Sequence, residues 1–438
     1  MTVSSAIFRR DFLSHPNQRI VDCASWLVVA LAAAVPLGSA TMNIVMGMLV
    51  IALLLGGGYR AHWQRVRSNP FAMAAVLLCA LITLGTIWSD GAAGEALRVA
   101  EKHARLLVGV IAVMLLVDER WRRRALLAWM SAMLLTLALS YLHSVWAFPL
   151  ARATREAIDG DHYIFKHHIT QNVMMSVFAI AALCEAILQW QRRVTSDTLA
   201  LRWAIFWFVV AGLAVINVLF FVAGRTGYIT LACNVFVACL VLARGRQRIA
   251  LLLGVLLAIA IVATSSVSLR ERFEGAVNEV ESHQATGAKT SAGQRMEFGR
   301  KSLELIAARP ILGWGTGSYS QQYCLIARSP EWCALGSYNP HNQFLYFGVQ
   351  LGIVGIFAYL VWFASVAYAL RPVTRVQRAL GYSVLATLFV HSLLDSPLYI
   401  VTEGAFYPLL LGILLAGYGE AREARVASNT ASTLGHSG

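Results

Sequence analysis

The sequence predicts an all-α, polytopic membrane protein with about twelve transmembrane helices. Of the 438 residues, 58% are hydrophobic and only 13% are charged, a balance that excludes a soluble enzyme. Apolar stretches of roughly 20 residues, the length that crosses a bilayer as a helix, recur along the chain. One long polar segment, 268–341, interrupts them late in the sequence.

The apolar stretches define the domain organisation. The first stretch is expected to be a retained helix, because no clear small-residue cleavage site follows it. The predicted spans lie at 24–40, 41–57, 71–88, 103–117, 124–148, 169–190, 203–222, 226–243, 249–267, 342–370, 379–394 and 402–418. The resulting regions are membrane helices at 1–267, a polar insertion at 268–341, membrane helices at 342–418 and a disordered tail at 419–438.

The basic residues indicate how the chain is oriented in the membrane. The net charge of +13 could suggest a nucleic-acid partner, but every short loop on one side of the predicted spans is a basic cluster, as the positive-inside rule requires. This alternation predicts an even number of spans with both termini in the cytoplasm. The clusters contain Arg60, Arg65, Arg67, Arg120, Arg122, Arg123, Arg124, Arg192, Arg193, Arg202, Arg244, Arg246, Arg248, Arg371, Arg375 and Arg378.

A second set of cations lies on the opposite side, where the topology does not require them. Side chains at helix ends often extend to lipid headgroups, and that interpretation stays open for each of them. A group that converges on one face would instead form an anion site. The set comprises Arg98, Lys102, Arg105, Arg152, Arg155, Lys166, Arg225, Arg295, Arg300 and Lys301.

The insertion has structure of its own. Helical patterns are expected at 269–283 and 294–308, separated by a polar small-residue linker. The following ILGWGTGSY contains three glycines; a structural turn is favoured over a phosphate-binding loop, because a lone glycine turn is weak evidence. Cys324 and Cys333 both lie in this outer segment, where an oxidising compartment would allow them to form a disulfide.

Four features on the outer side suggest chemistry. Arg225 and Arg295 carry planar, permanently charged donor groups that match phosphate oxygens. His341, followed by Asn342, stands at the start of a long apolar helix, where an ionisable group is a functional candidate. Asp395, at another outer helix end, could orient an imidazole or hold an arginine.

Together these residues predict a transferase site that needs no metal. Two cations would stabilise a departing diphosphate, and a neutral histidine would accept the proton of an attacking hydroxyl. The outer loops carry no DxD-like pair that stands out as a cation site; Asp159 and Asp161 are accompanied by Lys166 and two histidines. For each residue alone, a satisfied charge at a helix end remains the alternative.

These residues lie in segments that resemble the O-antigen ligase and polymerase superfamily of bacterial inner-membrane proteins. The segments are AGRTGYIT, GQRMEFGRKSLELIAARPILGWGTGSY, PHNQFLYFGVQLGIVG and HSLLDSPLY, within about 222–415. The resemblance implies a GT-C-like transferase with a periplasmic active site. Its donor would be a glycan on undecaprenyl diphosphate, and the transfer would invert the anomeric centre without a metal.

The resemblance also implies roles for individual residues. Arg225 and Arg295 would bind the diphosphate, His341 would act on the acceptor hydroxyl, and Asp395 would support the site. Asn342 completes the local motif. Lys166, Arg300, Arg98 and Lys102 are further candidates for substrate binding. Arg300 and Lys301 stand where relatives often have an aromatic residue.

Within the superfamily, one long outer loop late in the chain favours an O-antigen ligase that uses lipid A–core as acceptor. An O-antigen polymerase more often has two large outer loops, and a protein O-oligosaccharyltransferase often has further soluble sequence; both stay open. A transporter of lipid-linked glycans is the alternative from another class. It should carry charges in mid-span, and Glu185 is the main candidate of that kind.

Overall fold

The computed structural model describes residues 17–147, 149–158, 160–193, 198–265 and 267–434. Every regular element in these ranges is helical. The first half contains α1 (Gln18–Leu37), α2 (Ser39–Gly56), α3 (Tyr59–Ser68), α4 (Pro70–Leu84), α5 (Ala93–His103), α6 (Leu107–Leu115), α7 (Glu119–Val145), the single turn α8 (Arg152–Arg155), α9 (His168–Arg192) and α10 (Thr198–Ile216).

The second half begins with α11 (Arg225–Leu242) and α12 (Gly245–Ser265) and continues through the insertion. It contains α13 (Val267–Thr286), α14 (Ser291–Ala308), α15 (Tyr319–Ile326), α16 (Pro330–Gly336), α17 (Gln343–Ala369), α18 (Arg375–Leu394), α19 (Val401–Leu415) and α20 (Tyr418–Leu434). Both helical patterns predicted in the insertion are confirmed by α13 and α14.

The polytopic, all-helical character is confirmed. Among the described residues, eight helices are long and apolar enough to cross a membrane, or nine if the pair α3–α4, which bends by 100°, forms one span. The other predicted spans coincide with α6, α12 and α18, which are not among those eight. The count of about twelve therefore stays a prediction.

The polar C-terminal tail differs from its prediction. It forms helix α20 rather than a disordered segment as far as Leu434, and the residues after that lie outside the described ranges. Its first part, GEAREARVA, is rich in alanine, glutamate and arginine, which favour helices. An ion pair between Glu420 and Arg122 at 2.8 Å attaches α20 to the start of α7.

The apolar core lies where α9 and α19 are surrounded by other helices. Helix α9 packs against α10, α11 and α18, while α19 packs against α6. The α6–α19 contact is close because Gly109 and Gly412 face each other: a Cβ atom on Gly412 would lie 2.4 Å from the Gly109 carbonyl oxygen. Small residues at a membrane-helix interface allow such an approach.

The two ends of the bundle carry different groups. We call one the basic end, because the helix ends there carry Arg65, Arg122, Arg123 and Arg375. The other is the histidine end, where the polar insertion, His341 and the loop from Asp395 to Ile400 lie.

Helix α17 is broken near its middle, and the insertion fills the break. Gly352 has φ 62° and ψ −155° inside the helix, and a Cβ atom there would lie 2.2 Å from the Ile311 carbonyl oxygen. The backbone of Ile353 donates to Pro310 (2.8 Å), and that of Gly315 donates to Gln350 (2.8 Å). The glycine-rich turn thus has a structural role. Gly352, which has no side chain, allows the backbone of this segment to approach α17 closely.

Candidate active site

His341 occupies an unusual backbone conformation between the insertion and α17. Its φ of 51° lies in the left-handed region, which is uncommon for a residue other than glycine. The backbone N–H of His341 donates to Asn339 Oδ1 at 2.8 Å. Asn342 then caps α17: its Oδ1 accepts from the Leu345 N–H at 3.0 Å, and its Nδ2 donates to the Leu393 carbonyl at 3.2 Å. The strained residue is therefore fixed from both sides.

A carboxylate orients the His341 ring. The Nδ1 atom lies 3.1 Å from Asp395 Oδ1, and the same oxygen accepts the Ser396 N–H at 2.7 Å. Burial raises the pKa of Asp395, but the hydrogen bond and the positive charge of His341 outweigh it, so this pKa lies below its usual range. When neutral His341 donates its Nδ1 proton to this carboxylate, Nε2 remains as the basic nitrogen.

Arg225 and Arg295 line one cavity, as the anion-site hypothesis requires. The cavity has a volume of about 290 Å³ and is bordered by His168, Gly224, Arg225, Ser291 and Arg295. Arg225 begins α11, and Arg295 lies in the second turn of α14. The fold therefore brings together two arginines that are 70 positions apart in the chain.

The two arginines differ in their partners. Arg225 Nη2 is 2.6 Å from Glu279 Oε1, so its charge is already paired. Arg295 forms no ion pair with any residue in the described ranges, and its Nε atom has no hydrogen-bond partner there. Its Nη1 reaches only the Ser291 hydroxyl, at 3.4 Å. One donor group in the cavity is thus available to a ligand.

One ring contact joins the helix of Arg295 to the His341–Asp395 pair, and two adjacent histidines lie on the other side of the cavity. Phe298, one turn after Arg295 on α14, is buried and stacks against the His341 ring, with 6.0 Å between ring centroids. On the other side, the ring of His168 lies 3.9 Å from that of His167. Burial lowers the pKa of His167, the charge of Arg152 lowers it further, and the charges of Glu156 and Asp395 oppose the shift.

Lys166 lies beside these histidines and is buried. Its Nζ donates to Ser39 Oγ at 3.0 Å and to Thr402 Oγ1 at 3.1 Å. Burial lowers the pKa of Lys166 to about 8, although the nearby Glu403 opposes the shift. Glu403 is itself buried and accepts from Thr170 at 2.6 Å. Lys166 therefore connects the histidine end to α2 and α19.

The remaining predicted substrate-binding residues do not border this cavity. Arg98 is exposed and pairs with Glu95 at 3.1 Å. Lys102 lies 3.5 Å above the ring of Tyr399. Arg300 pairs with Glu297 and Glu304 along its own helix.

The structure also shows the surroundings of the cysteine pair and of a carboxylate in an outer loop. Cys324 and Cys333 form a disulfide within the insertion. Asp161 accepts the N–H groups of His162 (3.0 Å) and Ala223 (3.1 Å), whereas Asp159 lies outside the described residues. Across the described part of the chain, no three histidine, cysteine or acidic side chains are grouped to hold a metal ion.

Several residues of the site were not singled out from the sequence: His168, Glu279, Phe298 and Glu403. His168 carried a usable signal, since it follows Lys166 and His167 at the outer end of a span. Glu279 carried none, because it is one of several charges on the mixed-charge helix α13. Only the fold brings it to Arg225.

The fold and the site together define a polytopic helical membrane protein with a cationic cleft and a histidine–carboxylate pair at one end of its bundle. Residues 209–360 match the family model described as O-Antigen ligase. The match confirms the resemblance over this segment, which includes Arg225, Arg295 and His341. The family covers O-antigen ligases and polymerases, which are glycosyltransferase-like enzymes. A comparison with curated proteins found no match.

Proposed function

We propose that the protein is an O-antigen ligase of the bacterial inner membrane. It would transfer O-antigen polysaccharide from undecaprenyl diphosphate to a sugar hydroxyl of lipid A–core on the periplasmic face, without a metal and with inversion. The observation that carries this proposal is the His341–Asp395 pair, joined through Phe298 and α14 to a cavity that holds Arg225 and Arg295.

The geometry supports a division of labour between these residues. The acceptor oxygen attacks the anomeric carbon while its proton passes to His341 Nε2. The bond between that carbon and the diphosphate oxygen breaks, and its electron pair stays on the diphosphate. Arg225 and Arg295 stabilise this added negative charge, the kind of electrostatic contribution that lowers barriers most in a preorganised site. Asp395 holds the imidazole in place and stabilises the imidazolium that forms.

The proposal also covers topology and class. About twelve spans, a GT-C-like architecture, cytoplasmic termini and a periplasmic histidine end all follow from the positive-inside assignment and the family resemblance. A transporter is less well supported, because Glu185, its main candidate acid, is bound in two places by Arg123 at 2.5 Å. That pair lies towards the basic end, so Glu185 itself is not free for alternating access.

Reconstitution tests this proposal directly. The purified full-length protein is mixed with O-antigen on undecaprenyl diphosphate and offered lipid A–core, a second donor-linked chain or an acceptor polypeptide in separate reactions. We expect product only with lipid A–core, and unchanged transfer in the presence of a chelator. A longer lipid-linked chain would instead establish a polymerase, and a modified polypeptide would establish a protein O-oligosaccharyltransferase. Loss of transfer with the chelator, restored by magnesium, would contradict the metal-free mechanism.

A further inference from the structure

The carboxylate of Glu279 holds Arg225, one of the two arginines that border the cavity. Its Oε1 is 2.6 Å from Arg225 Nη2, and its Oε2 accepts the Ala292 N–H at 3.0 Å. The Thr290 hydroxyl donates to the Glu279 carbonyl at 2.9 Å, which fixes α13 against the start of α14. Glu279 thus binds Arg225 and the N-terminus of α14 at the same time.

Those two partners are the ones a phosphate group would use. Ala292 lies in the first turn of α14, a helix of 18 residues, whose N–H groups attract anions. Arg225 offers a planar donor group suited to phosphate oxygens. Burial raises the pKa of Glu279, but the hydrogen bonds from Arg225 and Ala292 and the charge of Arg295 outweigh it. The carboxylate is therefore ionised throughout the neutral range.

The charges in the cavity are not balanced. Two guanidinium groups border it, the Glu279 carboxylate pairs with that of Arg225, and Arg295 forms no ion pair in the described residues. A ligand with only one negative charge that displaces Glu279 exchanges one anion for another at Arg225. The positive charge of Arg295 then remains uncompensated. A ligand with two negative charges can satisfy both arginines.

This difference matters because of where the cavity lies. A site at the end of membrane helices is surrounded by phospholipids, whose phosphodiesters carry one negative charge and far outnumber any lipid-linked sugar. A donor joined through a diphosphate diester carries two. Discrimination between two such ligands commonly relies on an element that disfavours the wrong one.

We propose that Glu279 is a specificity-determining residue: its carboxylate excludes singly charged phosphodiesters from the cavity and yields to a doubly charged diphosphate. The inference rests on the proposed function, because it takes the cavity to be the donor diphosphate site. Glu279 takes no part in the transfer reaction itself. It acts by determining which anion binds to Arg225.

The test uses two small probes that differ only in charge and phosphate number, dimethyl phosphate and P1,P2-dimethyl diphosphate. Binding of each to purified full-length protein in detergent is measured by calorimetry, with no transfer reaction. The variant is Glu279→Gln, which keeps the size and the acceptor for the Ala292 N–H. The control is Glu304→Gln, which removes an equally charged carboxylate from α14 where it pairs with Arg300 and Lys301.

We expect the wild-type protein to favour the diphosphate, and Glu279→Gln to bind dimethyl phosphate about ten times more tightly than wild type, or about 1.4 kcal/mol. In Glu279→Gln the affinity for the diphosphate should increase less than that for dimethyl phosphate, so the preference for the diphosphate falls. The Glu304→Gln protein should bind both probes as wild type does. Arg225→Ala should weaken diphosphate binding in either background.

Other outcomes separate this inference from the proposal on which it rests. If diphosphate binding depends on Arg225 but Glu279→Gln changes neither affinity, the donor site stands and the role of Glu279 is overturned. An equal gain for both probes also overturns it, because Glu279 would then occlude the cavity without selecting. If neither probe binds and Arg225→Ala has no effect, the donor site and the inference both fail.

Discussion

Arginines at the two ends of the bundle are satisfied in different ways. At the basic end, Arg65 and Arg375 bind backbone carbonyl oxygens, which the fold cannot move: Arg65 donates to the Met114 carbonyl at 2.7 Å, and Arg375 donates to carbonyl oxygens at the end of α11, at 2.7 and 2.9 Å. Arg122 and Arg123 at the same end pair instead with Glu420 and Glu185. At the histidine end, Arg225 is held by a single carboxylate from another helix, and Arg295 by no ion pair within the described residues.

The comparison separates arginines that the backbone satisfies from arginines that can exchange their partner for a ligand. Carbonyl oxygens at a helix C-terminus lack intrahelical donors, and a nearby arginine satisfies them and interacts favourably with the helix dipole. Such an arginine stabilises the fold and has little capacity left for a substrate. An arginine whose partner can be displaced retains that capacity.

The largest expected effect comes from removing the imidazole at the histidine end. His341→Ala should lower kcat for transfer about 10²- to 10⁴-fold, the usual contribution of a general base. The measurement is transfer per folded molecule, with a melting curve for each variant. His62→Ala at the basic end is the control, and equal losses of kcat in the two variants would show that the distinction between the ends is false.

Arginine substitutions test the comparison next. Arg225→Ala should weaken donor use by about 1.5–3 kcal/mol, the value of a hydrogen bond to a charged group, which is about 10- to 150-fold in kcat/KM. Arg225→Lys should recover only part of this, because an ammonium lacks the planar donor pair.

Arg375→Ala should show the opposite pattern. The Val241 carbonyl loses its side-chain donor and the Ala243 carbonyl keeps only the longer bonds from Arg248, which should lower the free energy of unfolding by about 1–3 kcal/mol. The kcat/KM per folded molecule should stay at the wild-type value. A donor defect in Arg375→Ala, or an unfolding defect alone in Arg225→Ala, would contradict the assignment.

The smallest effect concerns Lys166 and pH. Its pKa is lowered from 10.5 to about 8, so between these values the unfolded chain holds a proton that the folded protein has released. Stability should therefore rise as pH increases from about 8 towards 10.5. The melting temperature of wild type should rise by on the order of 2–4 °C for each kcal/mol gained. Lys166→Met should lack this rise, and an unchanged pH dependence in that variant would assign it to another group.

Sequence reasoning reaches the basic end more completely than the histidine end. Hydropathy and arginine clusters are local signals, so the apolar helices and the clustering of Arg65 and Arg375 near their ends follow from them, although both arginines lie in helices rather than loops. The contact between His341 and Asp395 could also be expected, because an aspartate at the end of a membrane helix needs a polar or charged partner. The Arg225–Glu279 pair was not, because 54 positions separate the two residues and α13 offers several similar charges.

The break in α17 is a second feature that local patterns do not show. The spacing of Gly348 and Gly352 is typical of a continuous helix that packs against another. The structure places Ile306 against Gly348 but admits the Ile311 backbone at Gly352. Either arrangement satisfies the same sequence, and only the path of the insertion decides between them.

That break makes the membrane helices and the insertion inseparable. Four backbone hydrogen bonds cross between them: from Trp314 to Val349 and from Gly315 to Gln350 in one direction, and from Ile353 to Pro310 and from Val354 to Ile311 in the other. A shortened protein without 268–341 would leave these groups of α17 unpaired in an apolar setting. The insertion is thus a part of the scaffold, and it cannot be excised or exchanged between relatives as a detachable module.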